Sequence, residues 1–179
     1  MVLDASRTLR GALAGLVAAG VWVVQQPLDK RAFAYDYDDA ELLGKAVTRG
    51  PAWRPLGLVL HLQNGALFGA VYANVAPGMP VPTGLRGPLA GLAEHLASWP
   101  LAALSERIHP ARDDLPPLWG VPRAFWQATW RHLVFGFVLG ELERRLNDDE
   151  PALGDFEATV STNGHGSLED AVLARPSSS

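Results

Sequence analysis

Two octapeptides in this chain are nearly identical: residues 9–16 read LRGALAGL and residues 85–92 read LRGPLAGL, agreeing at seven of eight positions. A second pair follows them, since HLQNGALFG at 61–69 and HLVFGFVLG at 132–140 share His-Leu and both glycines at the same offsets. A unit of two segments therefore occurs twice, and whatever one copy does in space the other is expected to repeat. Internal similarity of this kind is how membrane proteins built from repeated bundles often reveal themselves.

The four members of the duplication coincide with four stretches nearly free of charge, at about 9–28, 56–75, 85–104 and 125–146. Each is close to the ~20 residues that a helix needs to cross ~30 Å of hydrocarbon. The overall composition, 48% hydrophobic and 19% charged, conceals this segregation, because the charges collect in the loops and after Glu141. The expected fold is all-α, a four-helix transmembrane bundle made of two tandem two-helix repeats over residues 1–147, followed by an acidic, Ser- and Gly-rich disordered tail at 148–179. Arg7 and Arg10 before an apolar run resemble a secretory leader, but the counterpart deep in the chain indicates that the first segment is retained.

Punctuation refines the picture. Segment 1 is expected to end near Gln25, Gln26 and Pro27, and Asp38 and Asp39 before AELLGKAV signal a short interfacial helix. PGMPVPTG at 77–84 is a Pro-punctuated turn that should make segments 2 and 3 antiparallel neighbours. Pro88 falls in a first turn, where proline is tolerated, whereas Pro100 calls for a kink or stop. Eight Lys or Arg flank the long loops against five at the opposite ends, which leans toward long loops in the cytoplasm.

Each segment holds one GxxxG: Gly11 and Gly15, Gly65 and Gly69, Gly87 and Gly91, Gly136 and Gly140. In lipid, helices associate by close backbone approach and van der Waals contact, which such stripes permit. The repeat also predicts a symmetry axis along the membrane normal, with segments 1 and 3 equivalent and 2 and 4 equivalent.

Polar groups at membrane depth are the candidate functional residues. Gly87, Gly91, Glu94 and Ser98 fall on one helical face, so Glu94 should face the interior, paired or protonated; it reads as a proton or cation site or as an interhelical clamp. His95 points about 100° away and should not share a partner with Glu94. His61 and His132 stand one turn before the first glycine of equivalent motifs, where they could hydrogen-bond locally, sense pH, or ligate a haem between them. Gln63, Asn64 and Asn74 are able to bond across helices, the tryptophans read as interfacial anchors, and Arg131 as a snorkelling boundary residue. Glu141 and Arg145 form an i,i+4 pair at a solvated end.

Other chemistries find no support. Cysteine is absent, which excludes disulfides and thiolate sites. The net charge of −4 leaves no basic footprint for nucleic acid. No nucleophile–base set, Walker lysine or HExxH motif is present, so no catalytic activity, cofactor or resident metal is expected. Thirteen arginines to two lysines, with abundant Ala, Gly and Leu, point to a GC-rich bacterial genome.

The G-x-L-A-G-L helix, the H-L-Q-N-G-A-L-F-G-A-V-Y-A helix and the further helix pair resemble small bacterial inner-membrane proteins of the YagU-like type, over about residues 9–147. That resemblance implies a multi-pass inner-membrane protein and carries no reaction with it. The expected role is a structural or assembly component that meets a second copy or another membrane protein through its GxxxG faces within the lipid bilayer. The alternatives are a small proton- or cation-coupled transporter using Glu94 and a bis-histidine haem protein.

Overall fold

The computed structural model describes residues 4–147, and the acidic tail expected at 148–179 lies outside them. Among the described residues there are six α-helices and no strand. They are α1 (Ala5–Phe33), α2 (Asp39–Val47), α3 (Trp53–Val75), α4 (Thr83–Ser98), α5 (Leu101–Ile108) and α6 (Pro122–Asn147).

Helix ends follow local chemistry. Asp4 caps α1 by accepting from the Arg7 N–H, and Asp38 caps α2 by accepting from the Glu41 N–H at 3.1 Å, so the interfacial helix expected after Asp38 is present. Proline at position 27 does not end α1 as expected; the helix runs on to Phe33 and stops where Ala34 adopts a left-handed conformation, with its N–H on the Lys30 and Arg31 carbonyls. Proline removes one N–H and bends a helix, but interior contacts beyond it keep the last turns folded: Asp29 is buried. Pro100 does act as a stop, so the expected helix at 85–104 is divided into α4 and α5.

Among the described residues, length and apolarity single out two helices able to cross a membrane, Ala5–Phe33 and Trp53–Gly78. The 16 residues of α4 extend only about 24 Å at ~1.5 Å per residue, and α6 carries charges along its length.

Packing is pairwise. α1 lies along α3, α4 along α6, and α1 along α6, which places α1 and α6 at the centre with α3 and α4 outside. The expectation that segments 2 and 3 are neighbours is not met: the turn between them joins α3 to α4 in sequence, yet the two helices make no extended contact. Each follows its own glycine seam. A Cβ on Gly11 would meet the Gly69 carbonyl oxygen at 2.5 Å, and one on Gly15 would strike the Gly65 carbonyl and approach the Gly69 Cα to 2.9 Å. In the second pair a Cβ on Gly87 would strike the Gly136 carbonyl, and one on Gly91 the carbonyl of His132. All eight motif glycines therefore lie in helix contacts inside the chain. A further close crossing sets Gly44 of α2 against Gly57 of α3.

The two hairpins share their glycines but not their register. Gly15 faces Gly65, whereas its counterpart Gly91 faces His132, one helical turn before Gly136, the counterpart of Gly65. A slip of one turn is about 5.4 Å. The contact of α1 with α6 has no equivalent between α4 and α3 either, so the symmetry axis expected from the duplication does not relate the two halves.

The distribution of side chains is inverted relative to a water-soluble bundle. The buried apolar core is largely alanine, with Trp22, Tyr72, Phe135 and Leu139. Buried with it are Asp29, His61, His95, Gln127, Arg131 and Glu143. Many of the large aliphatic residues lie outside: Leu9, Leu13, Leu16, Val17, Val21, Val24 and Leu28 form an exposed stripe down α1 about 29 Å long at ~1.5 Å per residue.

Candidate functional site

The inner face of α6 carries Gln127, Arg131, Phe135, Leu139 and Glu143 at successive four-residue spacing, and all five are buried. This helical repeat was readable in the sequence. It places polar groups at both ends of the interface with α1 and apolar ones between.

The upper layer centres on Arg131, which is fully buried and corrects the expectation that it snorkels to a boundary. Its Nε donates to Asp29 Oδ2 at 2.7 Å and its Nη2 to Asp29 Oδ1 at 2.6 Å, a bidentate pair between α6 and α1. Nη1 donates to Asp39 Oδ2 of α2 at 2.9 Å, and Nη2 also reaches the Tyr37 carbonyl at 3.0 Å. Asp29 accepts further from Gln25 and Gln127, each at 2.7 Å, and Asp39 from the Trp22 indole at 3.0 Å. Satisfying nearly every lone pair is what allows ionised groups to remain in a dry interior. The Tyr37 hydroxyl donates to Asp39, and burial together with that carboxylate pushes the phenol well above its ordinary value. For Asp38, burial opposes ionisation, but the Glu41 N–H, Gln26 and Lys30 prevail and hold its carboxyl below the usual value.

The middle layer gathers the histidines. Trp22 stands between His61 and His132, with ring centroids 5.2 and 4.7 Å from theirs. His132 bonds the Ala128 carbonyl through Nδ1 at 2.7 Å and Glu94 Oε2 through Nε2 at 2.7 Å. His95, not Glu94, continues the Gly87–Gly91 stripe into the interior: it is fully buried, while the Glu94 side chain is 40% exposed. Its ring lies 4.8 Å from that of His132, so both residues do share a partner, contrary to expectation. A rotation of 100° still reaches one imidazole because α6 crosses α4 at the glycines, where side chains on either flank converge.

The lower layer joins Arg7 to Glu143 at 2.8 Å and to the Ala73 carbonyl at 2.6 Å, while Asn147 also donates to Glu143. Asn74 bonds across to Thr8 at 2.8 Å, the cross-helix role expected of it. Gln63 and Asn64 do not take that role; both lie on the exposed side of α3. The Glu141 pair with Arg145 is present at an exposed end.

A bis-histidine haem does not fit this arrangement. Both ring nitrogens of His132 are engaged, and the Trp22 indole occupies the space between the two histidines that a macrocycle would need. Among the described residues no group of three or more His, Asp or Glu is assembled to hold a metal ion.

Five of the six tryptophans fall toward one end of the helices, Trp53 at the start of α3, Trp99 after α4, Trp119 before α6, and Trp126 and Trp130 early in α6, while Trp22 lies in the middle layer. Trp22 is a buried hydrogen-bond donor instead of an anchor. Near Trp99, Trp119, Phe125 and Trp126 lies an aromatic recess of about 430 Å³.

No protein-family model matches this chain, and no curated protein or solved structure matches it either.

Proposed function

We infer that the chain is an integral membrane protein in which α1, α3, α4 and α6 lie together in the bilayer, with the end bearing α2 and α5 at one surface. The observation that carries this reading is the inversion of its surface: leucine and valine outside, alanine, glycine and ion pairs inside. In water such a molecule would leave its large apolar side chains wet and place its charges where they are costliest; in lipid both preferences are met. The charges that keep α6 from reading as a span include Arg131 and Glu143, both turned toward α1. Beyond the short α4, the apolar surface continues through Leu101, Leu104 and Ile108 of α5.

Its role in this reading is structural, as an assembly component. Because the glycine seams are occupied within the chain, the face offered to a second copy is the outer side of α3, where Val59, Gln63, Leu67 and Val71 recur every four residues. Gln63 and Asn64 sit at the middle of this helix, and primary amides are both donors and acceptors, so two copies can satisfy each other where lipid cannot. Carbonate washing of membranes from cells making the full chain tests the first part, with retention in the pellet expected and recovery in the supernatant overturning it. For the second, a single cysteine at Leu67 of the cysteine-free chain should give a disulfide-linked dimer in native membranes. A purely monomeric product would remove the assembly role while leaving the membrane placement intact.

A further inference from the structure

The protonation of His132 is dictated by its neighbours. The Ala128 carbonyl can only accept, so Nδ1, 2.7 Å from it, carries hydrogen. Nε2 lies 2.7 Å from Glu94 Oε2, and two bare acceptors cannot sit that close. One proton must lie between them, as the N–H of an imidazolium facing a carboxylate or as the O–H of a carboxylic acid facing a neutral ring. Either way the pair is neutral overall, and losing that proton leaves one uncompensated negative charge.

Exposure gives the pair a direction. The Glu94 side chain is 40% exposed and that of His132 only 14%, so the shared proton is reachable at its carboxylate end. Behind His132 lies the fully buried His95. The Thr129 hydroxyl gives its hydrogen to the Phe125 carbonyl, so it must accept from His95 Nε2 at 3.0 Å, which leaves His95 Nδ1 as a bare buried nitrogen with no partner among the described residues. The other charges facing this region are already matched: Arg131 by Asp29 of α1 and Asp39 of α2. His61 of α3 stands beyond the Trp22 indole.

We propose that Glu94 and His132 form a proton-binding site, loaded at the Glu94 carboxylate, with Nδ1 of His95 as the next acceptor inward. On loading, an external acid delivers one proton and the pair passes from one negative charge to neutral; no bond to carbon changes and no electron moves. The site is a property of the fold in detergent as well as in lipid, so its test does not depend on where the chain partitions.

The full-length protein in micelles, labelled with ¹⁵N-histidine, reports ring protonation directly. His132 should keep Nδ1–H throughout, and Glu94→Gln should move its titration midpoint by about one pH unit, a tenfold change in proton affinity. An unmoved midpoint overturns the site. His95 should show the Nε2–H tautomer, and the opposite tautomer would remove it as the next acceptor. A hydrophobic carbodiimide, which requires a protonated carboxyl, supplies a measurement on the unaltered protein. An adduct at Glu94 places the shared proton on the carboxyl, whereas loss of hydrogen from Nδ1 of His132 at any pH in the same unaltered protein overturns the proposal whether or not the variants fold.

Discussion

Arg131 grips Asp29 with two parallel hydrogen bonds, of 2.7 and 2.6 Å, at a point where neither side chain is exposed at all. This pair fastens α6 to α1, and through Asp39 it also fastens α2. Arg7 and Glu143 fasten the same two helices at their other ends.

Removing the guanidinium would strand two carboxylates in the interior. Arg131→Met is therefore expected to lose about 3–5 kcal/mol of stability, the usual cost of breaking a buried ion pair from one side. Arg145→Met, whose partner Glu141 is exposed, should lose little. Denaturation in mixed micelles compares the two, and equal losses would mean that the buried network contributes no more than a surface pair.

Glycine substitutions should change sign with position. Alanine at Gly15 would drive its Cβ into the Gly65 carbonyl and toward the Gly69 Cα at 2.9 Å, with an expected cost of about 1–3 kcal/mol. At Gly20 of the same helix nothing lies within 4 Å of the added carbon, so Gly20→Ala should stabilise by up to ~1 kcal/mol through helix propensity. Thermal unfolding monitored by helical circular dichroism reads both, and a cost at Gly20 would contradict the packing described.

Alkaline stability should depend on Tyr37. Because burial and Asp39 raise its phenol well above the ordinary 10.0, the folded chain holds this proton more tightly than the unfolded one. The resulting stabilisation is complete below about pH 10 and is lost as the pH rises through the folded value. A phenolate absorbance titration should show Tyr37 ionising last, together with unfolding, and Tyr37→Phe should abolish that late step. Ionisation of Tyr37 at its ordinary value in the folded state would refute the assignment.

Within the loop before α6, one carboxylate holds two successive backbone N–H groups. Glu106 Oε1 accepts from the Leu118 and Trp119 N–H groups at 2.5 and 2.7 Å, and His109 bridges the Leu42 carbonyl and the Ala111 N–H. Glu106→Ala should expose residues 109–121 to protease while the long helices keep their circular dichroism signal, since charge-assisted bonds of about 1.5–3 kcal/mol are lost locally. Unchanged cleavage would show that the loop is held elsewhere.

Much of the helical framework was legible in the residues themselves. Hydrophobic runs located the four long helices, Asp38 announced α2, Pro100 divided the third run, and the GxxxG spacing marked the faces on which hairpins close. These are local properties, fixed by helix periodicity, capping and the volume of a missing side chain. What the chain alone left open was which helix lies beside which, and in what register. The duplication suggested a matched pair of halves, but a glycine groove accepts a ridge at either of two positions one turn apart, and the second hairpin takes the one that sets Gly91 against His132. Only that slip, with the placement of α6 on α1, brings Glu94 and His95 to a common imidazole and Arg131 to Asp29, residues separated by 102 positions. Long-range charge pairing is decided by the relative height of packed helices, and helical periodicity within one segment contains no term for it.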